Sequence, residues 1–235
     1  MKNNTKHLTS MVFAVLAFAA MPLAHASLML ELSDGTNTVS QSSTTGMISY
    51  LGGVGAFDVA ATIGASKPLI GSAEQAALHL NVVAMTSNSS SGNFPATLTV
   101  KLTDTDFALP VSPGAYTANS VVGGLLGGRN IALSSYLDNG NAAFGTSGTS
   151  TQLSDFNFTN NPFSGSMTKY GVATNNPFSL TLVAAITHDG YGQITSFDYH
   201  VTVPEPATIA LLGIGLIGLA FGVRGKRSAP LSACS

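Results

Sequence analysis

Between residues 27 and 202 apolar and polar side chains alternate in short runs, and a period of two is the signature of a half-buried strand. In Ala96-Thr97-Leu98-Thr99-Val100-Lys101-Leu102-Thr103, the residues Leu98, Val100 and Leu102 are set to face a core, while Thr97, Thr99 and Lys101 face water. Leu28 to Leu32, Ala77 to Val82, Phe178 to Val183 and Gln193 to Val201 repeat the pattern. Turn signals stand between such runs: Ser33-Asp34-Gly35, Ser90-Ser91-Gly92-Asn93, Asp138-Asn139-Gly140-Asn141 and His188-Asp189-Gly190. An Asp-Gly pair between alternating runs predicts a hairpin, so Phe178 to His188 is expected to pair with Gln193 to Val203. The glycine-rich stretch Val121 to Arg129 is expected to be a loop, as are Asn160 to Gly165 and Thr174 to Pro177. Ala73 to Leu80 reads as a turn followed by a strand. Many strands without intervening helices imply an all-β domain, an antiparallel β-sandwich or a jelly-roll-like fold.

This stretch has the size of one ordinary domain and can bury a core without staples. The chain's single cysteine, Cys234, lies outside it, so it holds no disulfide, no thiol nucleophile and no cysteine metal site. Four cations, Lys67, Lys101, Arg129 and Lys169, face ten acids between Glu31 and Asp198. Nucleic-acid binding needs a basic surface, so that class is set aside. Ser, Thr and Asn must supply most of the polar surface. Such a surface suits neutral polysaccharide, or simply life outside the cell.

The two ends differ from the body. Lys2 and Lys6 precede an apolar run, Leu8 to Leu23, and small residues follow at Ala24 and Ala26. That order is a secretory signal, residues 1–26, cut by signal peptidase to leave Ser27 as the new N-terminus. At the other end, residues 207–223 are uncharged, and as a helix they would reach roughly 26 Å, enough for a thin bilayer. Arg224, Lys226 and Arg227 follow, and a basic cluster there stays on the cytoplasmic side of the inner membrane. Residues 228–235 would be a short cytoplasmic tail.

The tripeptide Pro204-Glu205-Pro206, the apolar run through Leu211-Leu212-Gly213-Ile214-Gly215-Leu216 and the basic end at Arg224, Lys226 and Arg227 together resemble the PEP-CTERM sorting signal, here over residues 203–227. The resemblance implies a Gram-negative bacterium that makes exopolysaccharide. It also implies processing near Pro204-Glu205-Pro206 by an exosortase, a membrane-embedded cysteine transpeptidase-like enzyme. The inner membrane would then be a transit stage, followed by the cell surface or the extracellular matrix, in biofilm or floc. The expected role is non-enzymatic association with exopolysaccharide; the alternative is a secreted β-sandwich enzyme acting on polysaccharide.

No cofactor is expected. For chemistry, Asp104 and Asp106 stand first, because residues two apart on a strand point the same way and paired carboxylates bind calcium or exchange protons. Both fall in the inward phase of Leu98, Val100 and Leu102. Burying two unpaired carboxylates is costly, so the strand is expected to end by Asp104 and leave both acids in water. His79, His188 and His200 are far apart in sequence and read as surface histidines, with His188 and His200 at opposite ends of the last hairpin. Gly145-Thr146-Ser147-Gly148 lacks the spacing of a serine-hydrolase elbow.

Overall fold

A computed structural model of the chain describes residues 28–87, 93–110 and 113–204. Twelve strands make up the described residues' regular structure: β1 (Leu28–Ser33), β2 (Thr38–Ser43), β3 (Met47–Val54), β4 (Phe57–Ala65), β5 (Ala76–Thr86), β6 (Ala96–Phe107), β7 (Gly114–Leu125), β8 (Asn130–Asp138), β9 (Ser150–Phe158), β10 (Phe163–Thr174), β11 (Phe178–His188) and β12 (Ile194–Val203). They form two six-stranded sheets, β2-β1-β6-β11-β8-β9 and β10-β7-β12-β5-β4-β3. Every pairing within them is antiparallel. The pairs β5–β12, β6–β11, β7–β10 and β8–β9 are nested and alternate between the sheets, which is the winding of a jelly roll. β1–β2 and β3–β4 extend one edge of each sheet.

The period-two reading carries over directly. Leu98, Val100 and Leu102 are fully buried, as are Leu78, Leu80 and Val82 on β5 and Leu180 and Leu182 on β11. These inward rows meet between the sheets as one core. The turn before β5 is closed by Ser72, whose hydroxyl accepts from Glu74 and Gln75 backbone N–H groups at 3.2 and 3.1 Å.

Three local expectations are corrected. Phe178–His188 and Ile194–Val203 do not pair; each is central in its own sheet, so Asp189 to Gln193 bridges the two layers. The bridge is fixed by side chains rather than by a two-residue turn. Gln193 accepts from the Asp189 N–H at 2.9 Å, and Thr86 Oγ1 donates to the Gly190 carbonyl at 2.7 Å. Val121 to Leu125 is strand, and only the residues after it form the loop; the glycines at 123 and 124 lie within β7, opposite Ser164 and Phe163 of β10. Phe163 to Gly165 and Thr174 likewise belong to β10, which leaves shorter loops than the Asn-Pro signals suggested.

The fourth correction concerns chemistry. β6 runs on through Asp104 to Phe107. Asp104 is fully buried because the lysine Nζ of Lys67 lies 3.1 Å from its Oδ2. The cost of an unpaired buried carboxylate therefore does not arise.

Candidate functional site

The proposed paired acids do not act together. A β-bulge interrupts the β6–β11 register between Asp104 and Phe107, and Asp106 sits there with φ of 62°. Asp106 is half-buried and accepts from Asn141 Nδ2 at 2.8 Å and from Thr105 Oγ1 at 2.8 Å. Asp104 instead accepts at Oδ2 from Ser66 Oγ at 2.5 Å and Lys67 Nζ at 3.1 Å, and at Oδ1 from the Thr105 N–H at 2.9 Å. The oxygens that calcium would need are thus committed to protein donors. Among the described residues no group of three or more His, Cys, Asp and Glu is placed to hold a metal.

Asp138-Asn139-Gly140-Asn141 is the turn its composition implied. Asp138 accepts from the N–H groups of Gly140 and Ala142 at 3.1 and 2.9 Å and from Thr149 Oγ1. Burial alone would raise its carboxyl pKa, but these donors outweigh it and hold the group below the usual carboxylate value.

The histidines are arranged quite differently from the expectation. His188 is fully buried, not a surface residue, and its Nε2 lies 2.8 Å from Thr195 Oγ1. His79 and His200 are directly opposite each other on β5 and β12, with ring centroids 5.8 Å apart in an edge-on contact. Both lie on the outward face of the sheet, because Leu78, Leu80, Tyr199 and Val201 take the inward phase. Asp198 and Asn81 form the next pair on that face. Asp198 Oδ2 lies 2.8 Å from His79 Nε2 and 3.4 Å from Asn81 Nδ2. Burial, reinforced by the neighbouring His79, pushes the His200 imidazole below its ordinary pKa.

These residues line a groove. One hollow of about 350 Å³ is bounded by Ile70, His79, Asp198 and His200. A second, of about 500 Å³, shares Ile70 and His200 and continues along Gln75, Ala77 and Thr202 to Pro204. The groove thus runs over the β5–β12 ladder to the point where the folded domain meets the Pro204-Glu205-Pro206 tripeptide. Its walls carry amide, hydroxyl and imidazole groups and one carboxylate, a donor set that can grip neutral hydroxylated ligands. The outward phase of His79 was legible in its strand; its meeting with His200 was not, because the pairing joins segments far apart in sequence, as does the His79–Asp198 bond, which spans 119 residues.

The remaining predicted positions lie largely outside the described residues. Pro204 is exposed at the end of β12. Ala24, Ala26, Ser27, Glu205, Pro206, Arg224, Lys226 and Arg227, with the expected span 207–223, fall outside.

Residues 202–227 match the family model of the PEP-CTERM protein-sorting motif, so the chain carries that sorting signal. The motif implies export and processing by an exosortase. No curated protein sequence matches the chain. Among solved structures, TmCBM61 in complex with beta-1,4-galactotriose is similar at TM-score 0.32 and 8% identity, over 64% of this chain and 90% of that one. A cleaved adhesin domain of Lys-gingipain from Porphyromonas gingivalis is similar at TM-score 0.34 and 9% identity, over 68% and 97%. A xylan-binding domain from CBM 22 is similar at TM-score 0.30 and 10% identity, over 67% and 92%. Likenesses at this level do not carry a ligand or a site from one chain to another.

Proposed function

We propose that this is a non-catalytic surface or matrix protein whose β-sandwich holds extracellular polysaccharide in the groove over β5 and β12. Export rests on the motif at residues 202–227. The glycan reading is carried by one observation: His79, Asn81, Asp198 and His200 form a two-by-two polar patch on the outward face, open to solvent along a groove. A sugar hydroxyl both donates and accepts, and the patch offers both functions side by side. Asp198 anchors it, since it orients His79 and Asn81 at once. The body's low cation count leaves little to draw in acidic polymers, so a neutral or weakly charged glycan is the better match.

The test has two arms. Purified full chain is assayed for retention on neutral glycans, beside a His79→Ala/Asp198→Ala variant whose changes lie on the outward face. A strain lacking the gene is assayed for floc or biofilm cohesion. Retention by the parent, its loss in the variant and weakened cohesion in the deletion strain are expected. Absence of retention together with normal cohesion sinks the proposal.

A further inference from the structure

The turn after β4 carries Lys67 from one sheet to the inward side of β6 in the other. Its amine is buried, and so is the carboxyl of Asp104 that it meets at 3.1 Å. We propose that Lys67 and Asp104 condense into an intramolecular amide, a covalent cross-link between the two sheets of the sandwich.

The surroundings supply what such a condensation needs. Lys67 Nζ also donates to the Thr105 carbonyl, and it lies 3.7 Å from the centroid of the Phe107 ring. The amine is therefore held on one side by acceptors and covered on the other by an aromatic face that excludes water. Nζ lies 3.1 Å from Oδ2, so the amine is held against the carboxyl group it would attack, with neither partner free to diffuse away. The two carboxyl oxygens have different partners. Oδ1 accepts the Thr105 N–H at 2.9 Å, a donor placed to stabilise negative charge on that oxygen. Oδ2 accepts the Ser66 hydroxyl at 2.5 Å, which marks it as the oxygen to leave. Ser66 Oγ also lies 3.1 Å from the Ala77 carbonyl, so its hydroxyl is fixed.

The proton balance closes without a co-reactant. Passing one ammonium proton to Oδ2 converts the ion pair into a neutral amine and a neutral acid, with no change in total protons. Burial holds the Lys67 pKa below the ordinary lysine value against the opposing pull of Asp104. The Nζ lone pair then attacks the carboxyl carbon, and an N–C bond forms. One amine proton passes to Oδ2, which Nζ already contacts at 3.1 Å, the C–O bond breaks, and water leaves. The other amine hydrogen stays on the new amide and keeps its bond to the Thr105 carbonyl. Both buried charges are removed. Residues 27–202 contain no cysteine, so this bond would be a staple that reductants cannot open.

Denaturing mass spectrometry of the full chain decides the matter. The expected result is a chain lighter by one water than the linear sequence, and, after digestion, one branched peptide joining the segments around Lys67 and Asp104. The same chain carrying Asp104→Ala is expected at its full residue mass, with two linear peptides, whether or not it folds. Linear peptides of ordinary mass at both positions of the parent chain overturn the proposal.

Discussion

The imidazole of His188 at the end of β11 packs against the ring of Phe57 on β4, centroids 5.3 Å apart and planes tilted by 47°. The contact joins the two sheets where the chain crosses from β11 to β12. One ring nitrogen meets Thr195 Oγ1, while the buried Nδ1 has no hydrogen-bond partner among the described residues. Such a site holds a neutral imidazole and resists a proton. Burial therefore lowers the pKa from 6.5 to about 4, with Asp189 opposing only in part. The sign follows from linkage. Above pH 6.5 the group is neutral folded and unfolded and contributes nothing to the pH dependence. As pH falls from 6.5 towards 4, the unfolded chain takes up a proton that the folded chain refuses. Stability then declines by about 3 kcal/mol over that window. Denaturant unfolding across pH should show this decline, and a His188→Gln chain should lack it. An unchanged profile in the variant would assign the decline to other groups.

Asp138 acts in a lower window and with the opposite dependence on charge. Its carboxylate holds the β8–β9 loop through Gly140, Ala142 and Thr149, and its pKa lies below the ordinary value. The stabilisation is complete above the unfolded value of 3.8 and is lost as pH falls through the lower folded value. Asp138→Ala removes the acceptor and leaves these donors unmet, at a cost of about 2–3 kcal/mol at neutral pH. Thermal unfolding measured at neutral pH checks the magnitude. A drop below 0.5 kcal/mol, roughly the scatter of neutral surface changes, would mean that water replaces the carboxylate.

The outward patch gives a third expectation. His79 and Asn81 are both anchored on Asp198, which is itself exposed. Asp198→Ala should release two side chains without disturbing the core, so stability should move by no more than about 0.5–1 kcal/mol. Glycan retention should nonetheless fall. Equal loss of stability and retention would show that the patch is structural.

Sheet membership was legible wherever one face of a strand is apolar, because a period of two needs only local information. Leu98, Val100 and Leu102 announced their burial in this way. Partners across space were not legible. The Asp-Gly pair at 189–190 looks the same whether it closes a hairpin or an arch between sheets, and only the burial of both neighbouring strands as central members separates the two. Asp104 failed for a related reason. The rule that an unpaired carboxylate stays out of a core is sound, but its partner Lys67 lies 37 residues away in a turn with no periodic pattern to place it. The sorting motif is the contrary case, since a linear signal is complete in its own residues.

Gly123 and Gly124, read from composition as loop residues, give the sharpest contrast between neighbours. Alternation on β7 sends a side chain at 123 outward and one at 124 inward against the sandwich. A methyl group at 123 would meet the Phe163 carbonyl at 3.8 Å and Ser164 Cβ at 4.0 Å, ordinary contacts. At 124 it would lie 2.2 Å from the Ser196 carbonyl oxygen, 2.8 Å from the Phe163 ring and 2.9 Å from the Phe197 Cα. Two of those are backbone atoms of the adjacent strand β12, which cannot rotate away. Gly124→Ala should therefore force β7 from β12 and cost about 1–3 kcal/mol, the usual range for overpacking. Gly123→Ala should be neutral or slightly stabilising, since alanine restricts the unfolded chain more than glycine does. Urea midpoints of the two single variants measure the difference directly. Equal destabilisation by both would mean that β7 does not hold the register in which Phe197 opposes Gly124.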